Sequence, residues 1–188
     1  MMRLQPMLPV EKPLPADESG FIHEIKWDGY RVLAYLDDGD VRLESRNGRN
    51  LNHLFPQLVE SARQKRLRAI LDGEVVALTA DGRVDFSLLR SCGIRPRHIC
   101  YIVFDLLYCQ SEDFCPKPWF ERRERLETLI ESEGALMLSP LLPGSARDCL
   151  TFAALRALSL SRGTLHIYLE LALRFGVSRK SGRVWIVF

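Results

Sequence analysis

Lys26 stands where a lysine is out of place. The stretch Phe21-Ile22-His23-Glu24-Ile25-Lys26-Trp27-Asp28-Gly29-Tyr30-Arg31 alternates apolar and polar residues, and Asp28-Gly29 follows almost at once. Lysine is ordinarily a surface residue. Phe21, Ile22, Ile25 and Trp27 place bulk around this one and are expected to bury it in part. Partial burial lowers an amine's pKa and frees its lone pair for attack. Lys26 is therefore a candidate covalent nucleophile. The alternative is that it forms the polar face of an edge strand. Further along stand Ser45-Arg46-Asn47-Gly48, Asp72-Gly73-Glu74, and Phe104-Asp105 inside an apolar run. Taken singly these have plain readings: tight turns, a solvated strand carboxylate at Glu74, a surface Arg46, a core Phe104.

The elements that must position these groups are legible in outline. Residues 20–26 and 30–36 read as strands, and Asp37-Asp38-Gly39-Asp40 reads as a hairpin turn into a third strand at 41–45. Asn47-Gly48 suits the turn that ends it. Phe55, Leu58, Val59 and Ala62 follow helical spacing after Pro56. Residues 69–79 read as a strand carrying Asp72-Gly73-Glu74, and Asp81-Gly82 as a turn after which Val84 to Phe86 pairs back. Residues 87–97 read as a short helix or loop. Ile99 to Leu107 is the most strand-like run. Trp119 to Ser132 reads as a helix with Leu126, Leu129 and Ile130 inward, and Glu121 and Glu124 suit its start. A short strand at Leu136 to Ser139 is broken by Pro140 and Pro143. Arg147 to Leu158 reads as a helix, Leu165 to Phe175 as helix or strand, and Val184 to Phe188 as a strand. Residues 1–19, with prolines at 6, 9, 13 and 15, read as an irregular arm laid against the body.

Composition narrows the class. The 188 residues are 47% hydrophobic and 27% charged, enough for one sizeable core. A formal net charge of +2 permits a nucleic-acid partner without arguing for one. Arginine and lysine gather at 63–68, 122–125 and 174–183, and such clusters are usually solvated faces. Five cysteines at irregular spacing, with no Cys-x-x-Cys pair, read as reduced thiols of a cytoplasmic protein. No apolar run approaches the roughly 18 residues a membrane helix needs, and the first residues do not resemble a signal peptide. No membrane partner is expected.

Together the motifs resemble the nucleotidyltransferase (adenylation) module of ATP-dependent DNA ligases, most of all the bacterial ligase D type. The nucleophile motif Lys-x-Asp-Gly-x-Arg stands as Lys26, Asp28, Gly29 and Arg31. Ser-Arg-x-Gly stands as Ser45 to Gly48, the acidic motif as Asp72-Gly73-Glu74, and the aromatic strand motif as Tyr101-Ile102-Val103-Phe104-Asp105. The resemblance implies an α+β fold of mainly antiparallel sheets flanked by helices, with the nucleotide in the cleft between sheets. It implies ATP and Mg²⁺ (or Mn²⁺) as cofactors and nicked double-stranded DNA as partner, in DNA repair and recombination. Lys26 would attack the α-phosphate of ATP and carry AMP. Glu24 would read the adenine, Arg31 and Arg46 would hold ribose and phosphates, Glu74 would bind the ribose or help place the metal, and Phe104 would stack on the base. Asp28, Gly29, Asp72 and Asp105 would support them. The chemistry is consistent: attack at phosphorus needs a neutral amine, positive charge near the developing oxygens and a metal to orient pyrophosphate.

The resemblance holds from about residue 5 to about residue 158 and then departs. The core of the adenylation domain is expected at 20–158, with 159–188 a divergent end. Where the family has Glu-Gly-x-x-x-Lys, the chain reads Leu158-Ser159-Leu160-Ser161-Arg162-Gly163. Near the final strand, Trp185-Ile186-Val187 brings no lysine, and Arg179 or Lys180 would substitute in part. The family's C-terminal oligonucleotide-binding domain is expected to be absent. These departures imply adenylylation and nick sealing that are weak or lost. Two other readings remain open: an inactive or partner-dependent adenylate- or DNA-binding fragment, its missing motifs or domain supplied by a separate polypeptide, and an RNA ligase or capping-type nucleotidyltransferase.

Overall fold

Two sheets carry the fold. The computed structural model describes residues 4–7, 17–18, 20–79, 84–90, 98–130, 134–149 and 183–187, the last as backbone. The expectations for Asp81-Gly82, 91–97 and most of 150–188 lie outside these residues.

The larger sheet grows from local signals. Strand β2 (Tyr30–Asp37) returns as β3 (Asp40–Ser45) through Asp38-Gly39. Both turn residues have positive φ, 46° and 108°, so the turn's twist matches that of the strands it joins. Helix α1 (Pro56–Gln64) follows, with proline in its first turn and Leu58, Val59 and Ala62 buried. Strand β4 (Arg68–Leu78) lies antiparallel to β2, and β5 (His98–Cys109) antiparallel to β4. Between them Val84 makes only a single bridge to Leu78, because Phe86 already begins the short helix α2 (Phe86–Arg90). The free edge of β5 is shared. The two-residue β6 (Glu112–Asp113) pairs antiparallel with one end, and β7 (Leu136–Leu138) pairs parallel with the other.

The smaller sheet has the order β8-β1-β9. Its central strand is β1 (Phe21–Ile25). Strand β8 (Leu141–Leu142) pairs antiparallel with it, and β9 (Arg183–Val187) pairs parallel. Pro140 and Pro143 were read as strand breakers. The strand does end before Pro140, and between the two prolines lies an edge strand that was not expected, too short to need their missing N–H groups.

The large sheet buries one face under the main core. Val32, Leu71, Val75, Val103 and Leu106 meet Leu58 of α1 and Leu126 of helix α3 (Trp119–Leu129). Helix α3 stops short of the expected Ser132. Ile130 is already extended, at φ −114° and ψ 118°, which lets its side chain enter the core while its N–H still bonds Leu126 O at 3.0 Å. Tyr101, wholly buried, lies across the sheet on this side. Its hydroxyl sits 2.9 Å from the carbonyl oxygen of Val32 and 3.0 Å from that of Leu71, tying three strands together.

On the opposite face the pattern is split. Val76, Leu78, Cys100 and Ile102 form an apolar cluster with Trp27 at one end. Leu33, Tyr35 and Ile70 form another at the far end, where Leu4 packs and donates its N–H to the Tyr35 hydroxyl at 3.1 Å. A charged band crosses the sheet between them.

Removing the Tyr101 hydroxyl leaves a buried carbonyl without its donor. Tyr101→Phe is expected to cost about 1–3 kcal/mol. Urea unfolding should show a lower midpoint at an unchanged slope.

Candidate active site

The band is assembled by register. Arg31 of β2 lies opposite Glu74 of β4, and Asp72 of β4 lies opposite Asp105 of β5. Opposed residues share a face, so all four side chains project together. Strand β5 reaches this arrangement by slipping register twice against β4. Gly73 pairs with Val103 but Asp72 with Asp105, which leaves Phe104 as an extra residue, and the second slip leaves Leu107 as another. A bulge turns neighbouring residues to one face. Phe104 and Asp105 therefore both face the band.

The Arg31 guanidinium is the centre of the band. It donates from Nε to Asp72 Oδ1 at 2.6 Å and from Nη2 to Asp72 Oδ2 at 2.8 Å. It also lies over the Phe104 ring, 4.4 Å from the centroid. Arg31 thereby covers one face of the Phe104 ring. Burial pushes the Asp72 carboxyl above its ordinary range, against the pull of Arg31. Asp105 is held bidentately by Arg122 of α3, at 2.8 Å from both Nε and Nη2.

Glu74 is the acid of the band that no arginine clasps in this way. It is half-buried, and burial raises its pKa to about 7, opposed by Arg31, by the Gly29 N–H and by Lys26. Gly29 presses directly on β4. A Cβ there would stand 2.1 Å from Val75 O and 3.0 Å from Glu74 Cγ. Only glycine lets the Lys26–Gly29 loop come this close.

Lys26 itself is exposed, immediately after the end of β1. The expected partial burial does not occur. Trp27 turns inward to the apolar cluster around Val76 and Ile102 and donates its indole N–H to Ser139 Oγ at 3.0 Å. Ile25 packs against the same cluster. The bulk that flanks Lys26 in sequence thus faces away from it. Asp28 is exposed beside it.

Glu24 is 4% exposed, and burial raises its pKa to about 7 although Arg123 opposes the shift. Arg123 Nη1 stands 3.4 Å from Glu24 Oε1. Arg46 is exposed on the turn closed by the Gly48 N–H and the Ser45 carbonyl, and no contact joins it to the band among the described residues. The structure therefore brings together Arg31, Asp72, Glu74, Phe104 and Asp105, sets the Lys26–Gly29 loop against them, and leaves Arg46 apart.

A family model described as an ATP dependent DNA ligase domain matches residues 2–149. The chain belongs to this family. It is 40% identical over 149 residues to a multifunctional non-homologous end joining protein, LigD, of Pseudomonas aeruginosa, covering 77% of this chain and 17% of that protein. The crystal structure of the ligase domain of M. tuberculosis LigD matches with a TM-score of 0.59 at 33% identity, over 67% of this chain and 47% of that one. A mycobacterial DNA ligase D complexed with ATP and MES matches with a TM-score of 0.59 at 38% identity, over 65% of this chain and 40% of that one. The chain thus spans less than half the length of each of these relatives. The fold is that of a DNA ligase nucleotidyltransferase domain, α+β and mainly antiparallel as expected.

In this ligase domain, sequence reasoning missed Arg122, Arg123 and Ser139. The arginines were read as part of a solvated basic face, yet Arg123 is 6% exposed. The signal was present in the spacing. Trp119, Arg123, Leu126 and Ile130 recur at intervals of a helical face, and all are buried. Among the described residues no group of three His, Cys, Asp or Glu could hold a metal, and no helix is long and apolar enough to cross a membrane. Glu74 is the one band carboxylate that no arginine clasps bidentately among the described residues.

Because the folded pKa of Glu74 lies above its ordinary value, the native state binds this proton more tightly than the unfolded chain. Stability from this group is lost as pH rises from about 4.5 through about 7. Glu74→Gln removes that loss. Its melting temperature relative to the parent is expected to rise across this window and level off above it, as differential scanning would show.

Proposed function

We propose that Lys26 is the nucleophile of ATP-dependent adenylylation, the first step of DNA ligation, and that this chain performs the step slowly. The observation that carries the reading is the position of Lys26: an exposed amine on a loop pressed against Glu74, beside a band whose Arg31, Asp72 and Asp105 are already held. Lys26 Nζ attacks the α-phosphorus of ATP. The N–P bond forms, the bond to the bridging oxygen breaks, pyrophosphate leaves and the amine's proton passes to solvent. Arg31 has both Nε and Nη2 committed to Asp72, which leaves Nη1 for a phosphate or ribose oxygen. A guanidinium fixed beforehand needs no reorganisation when charge develops. Phe104 offers its remaining face to the adenine, and Glu24 lies at the back of the base site. Arg46 joins from its turn when phosphate is bound.

A single available carboxylate suits Mg²⁺ or Mn²⁺, which is commonly held by one or two carboxylates and by substrate phosphates. Glu74 would hold it, and the ion would balance charge on the leaving pyrophosphate. The acceptor of AMP is the 5′-phosphate at a nick in double-stranded DNA, in cytoplasmic DNA repair such as the end joining named for the relatives. The slow rate follows from residues 158–188, where Lys180 is the one lysine. Fewer preorganised lysines at the α-phosphate would raise the barrier. The same observation supports a second reading, in which a separate polypeptide supplies those cations.

Incubation with α-labelled ATP and Mg²⁺ or Mn²⁺, then denaturation, should give weak covalent label that is absent with GTP. Lys26→Ala should abolish it. Tight ATP binding by the folded chain without any label would favour the partner-dependent reading and refute autonomous adenylylation.

A further inference from the structure

Ser139 is a junction between the two sheets. It follows β7, which belongs to the larger sheet, and precedes β8, which belongs to the smaller one. It is 0% exposed, and its polar groups are all engaged. Its N–H donates to Val103 O at 2.7 Å, beside the bulge that presents Phe104. Its carbonyl accepts from Arg123 Nη2 at 2.8 Å, and its hydroxyl accepts from Trp27 Nε1 at 3.0 Å. Arg123 continues the chain of contacts. It reaches Glu24 Oε1 from Nη1 at 3.4 Å and donates from Nε to Glu127 Oε1 at 2.8 Å.

Both flanks of Lys26 therefore end on one residue. Trp27, directly after it, reaches Ser139 by its indole. Glu24, two positions before it, reaches Ser139 through Arg123. We propose that Ser139 and Arg123 are positioning residues that anchor the backbone of Lys26 from both sides. This rests on the reading of Lys26 as the nucleophile.

The physical case is one of freedom and cost. A lysine side chain is long and carries much rotamer entropy. Exposed, as here, it gains no constraint from packing. A reactive geometry then depends on a rigid root, and a displacement of about 1 Å can cost about 100-fold in rate. Burying an arginine and a serine in this place is costly unless each polar group is satisfied. Apolar residues would fill the space at less risk. Arg123 and Ser139 bond each other, and one further bond from each reaches the segment that carries Lys26, which is the arrangement an anchor requires and a generic core does not.

The test uses the full chain with Ser139→Ala and Ser139→Thr, the second retaining the hydroxyl. Hydrogen exchange is followed for peptides covering 24–29 and, as reference, 70–76. Covalent labelling by α-labelled ATP is timed in the same samples. In Ser139→Ala, exchange at 26–29 should accelerate about tenfold or more with the reference strand unchanged. Labelling at saturating ATP should slow by about 10- to 100-fold, with the half-saturating ATP concentration within about twofold. Ser139→Thr should restore both. Unchanged exchange at 26–29, equal acceleration in the reference strand, or failure of Ser139→Thr to restore either readout overturns the proposal. A parent chain that takes no label refutes autonomous adenylylation alone, and the exchange comparison still decides whether Ser139 anchors the loop.

Discussion

The bidentate pair between Arg31 and Asp72 is the constraint on which the charged band depends. It joins adjacent strands at the middle of the larger sheet, where Asp72 is 3% exposed. Two charges at such a place are tolerable only together, since removing one partner of a buried pair typically costs about 3–5 kcal/mol. The pair also fixes its neighbours. Arg31 can lie over Phe104 because Asp72 holds its plane in place. Asp105 then stands opposite Asp72, and Arg122 supplies the cation that keeps two acids on facing positions from repelling each other. With its neighbours paired in this way, Glu74 is the acid whose charge state remains open.

The helices and the smaller sheet serve this arrangement from outside it. Helix α3 sends Leu126 into the main core on one side. From the same helix, Arg122 and Arg123 reach Asp105 and Glu24. One element thus sets the height of β5 and of β1 together. The segment at 4–7 covers the far end of the band's face, and Met7 offers its carbonyl to Arg31 Nη2 at 3.4 Å. The Lys26–Gly29 loop closes the other end through Trp27.

Much of this was legible before any coordinates. The β2/β3 hairpin announced itself through Asp-Gly, and α1 through Pro56 and its apolar spacing. The strands carrying Arg31, Asp72, Glu74 and Asp105 read correctly because alternation is a local property. What failed was non-local. The burial expected for Lys26 assumed that sequence neighbours are spatial neighbours, yet Trp27 and Ile25 turn toward Val76 and Ile102, far along the chain. Arg123 looked like surface because charge usually is, and its partners Glu24 and Ser139, outside its own helix, are what satisfy it where it is buried. Strand β8 hid between prolines because pairing with β1, not propensity, makes it a strand. The bulge at Phe104 left no local mark either, since two consecutive residues facing one way can be seen only against β4.

The make-up of the smaller sheet has a consequence for the order in which the molecule comes together. The hairpin and β4 and β5 draw on residues 30–109, so much of the larger sheet is available as soon as that span exists. Strand β1 precedes all of it, yet its partners are Leu141–Leu142 and Arg183–Val187. Closing such long loops is slow, because their entropy is lost before the contacts reward it. During synthesis the strand leading to Lys26 leaves the ribosome before its partners and waits, unpaired, for residues more than a hundred positions later. Lys26 is thus made before the larger sheet and is among the last of these residues to be set in place. A nascent chain would carry its scaffold well before its reactive geometry.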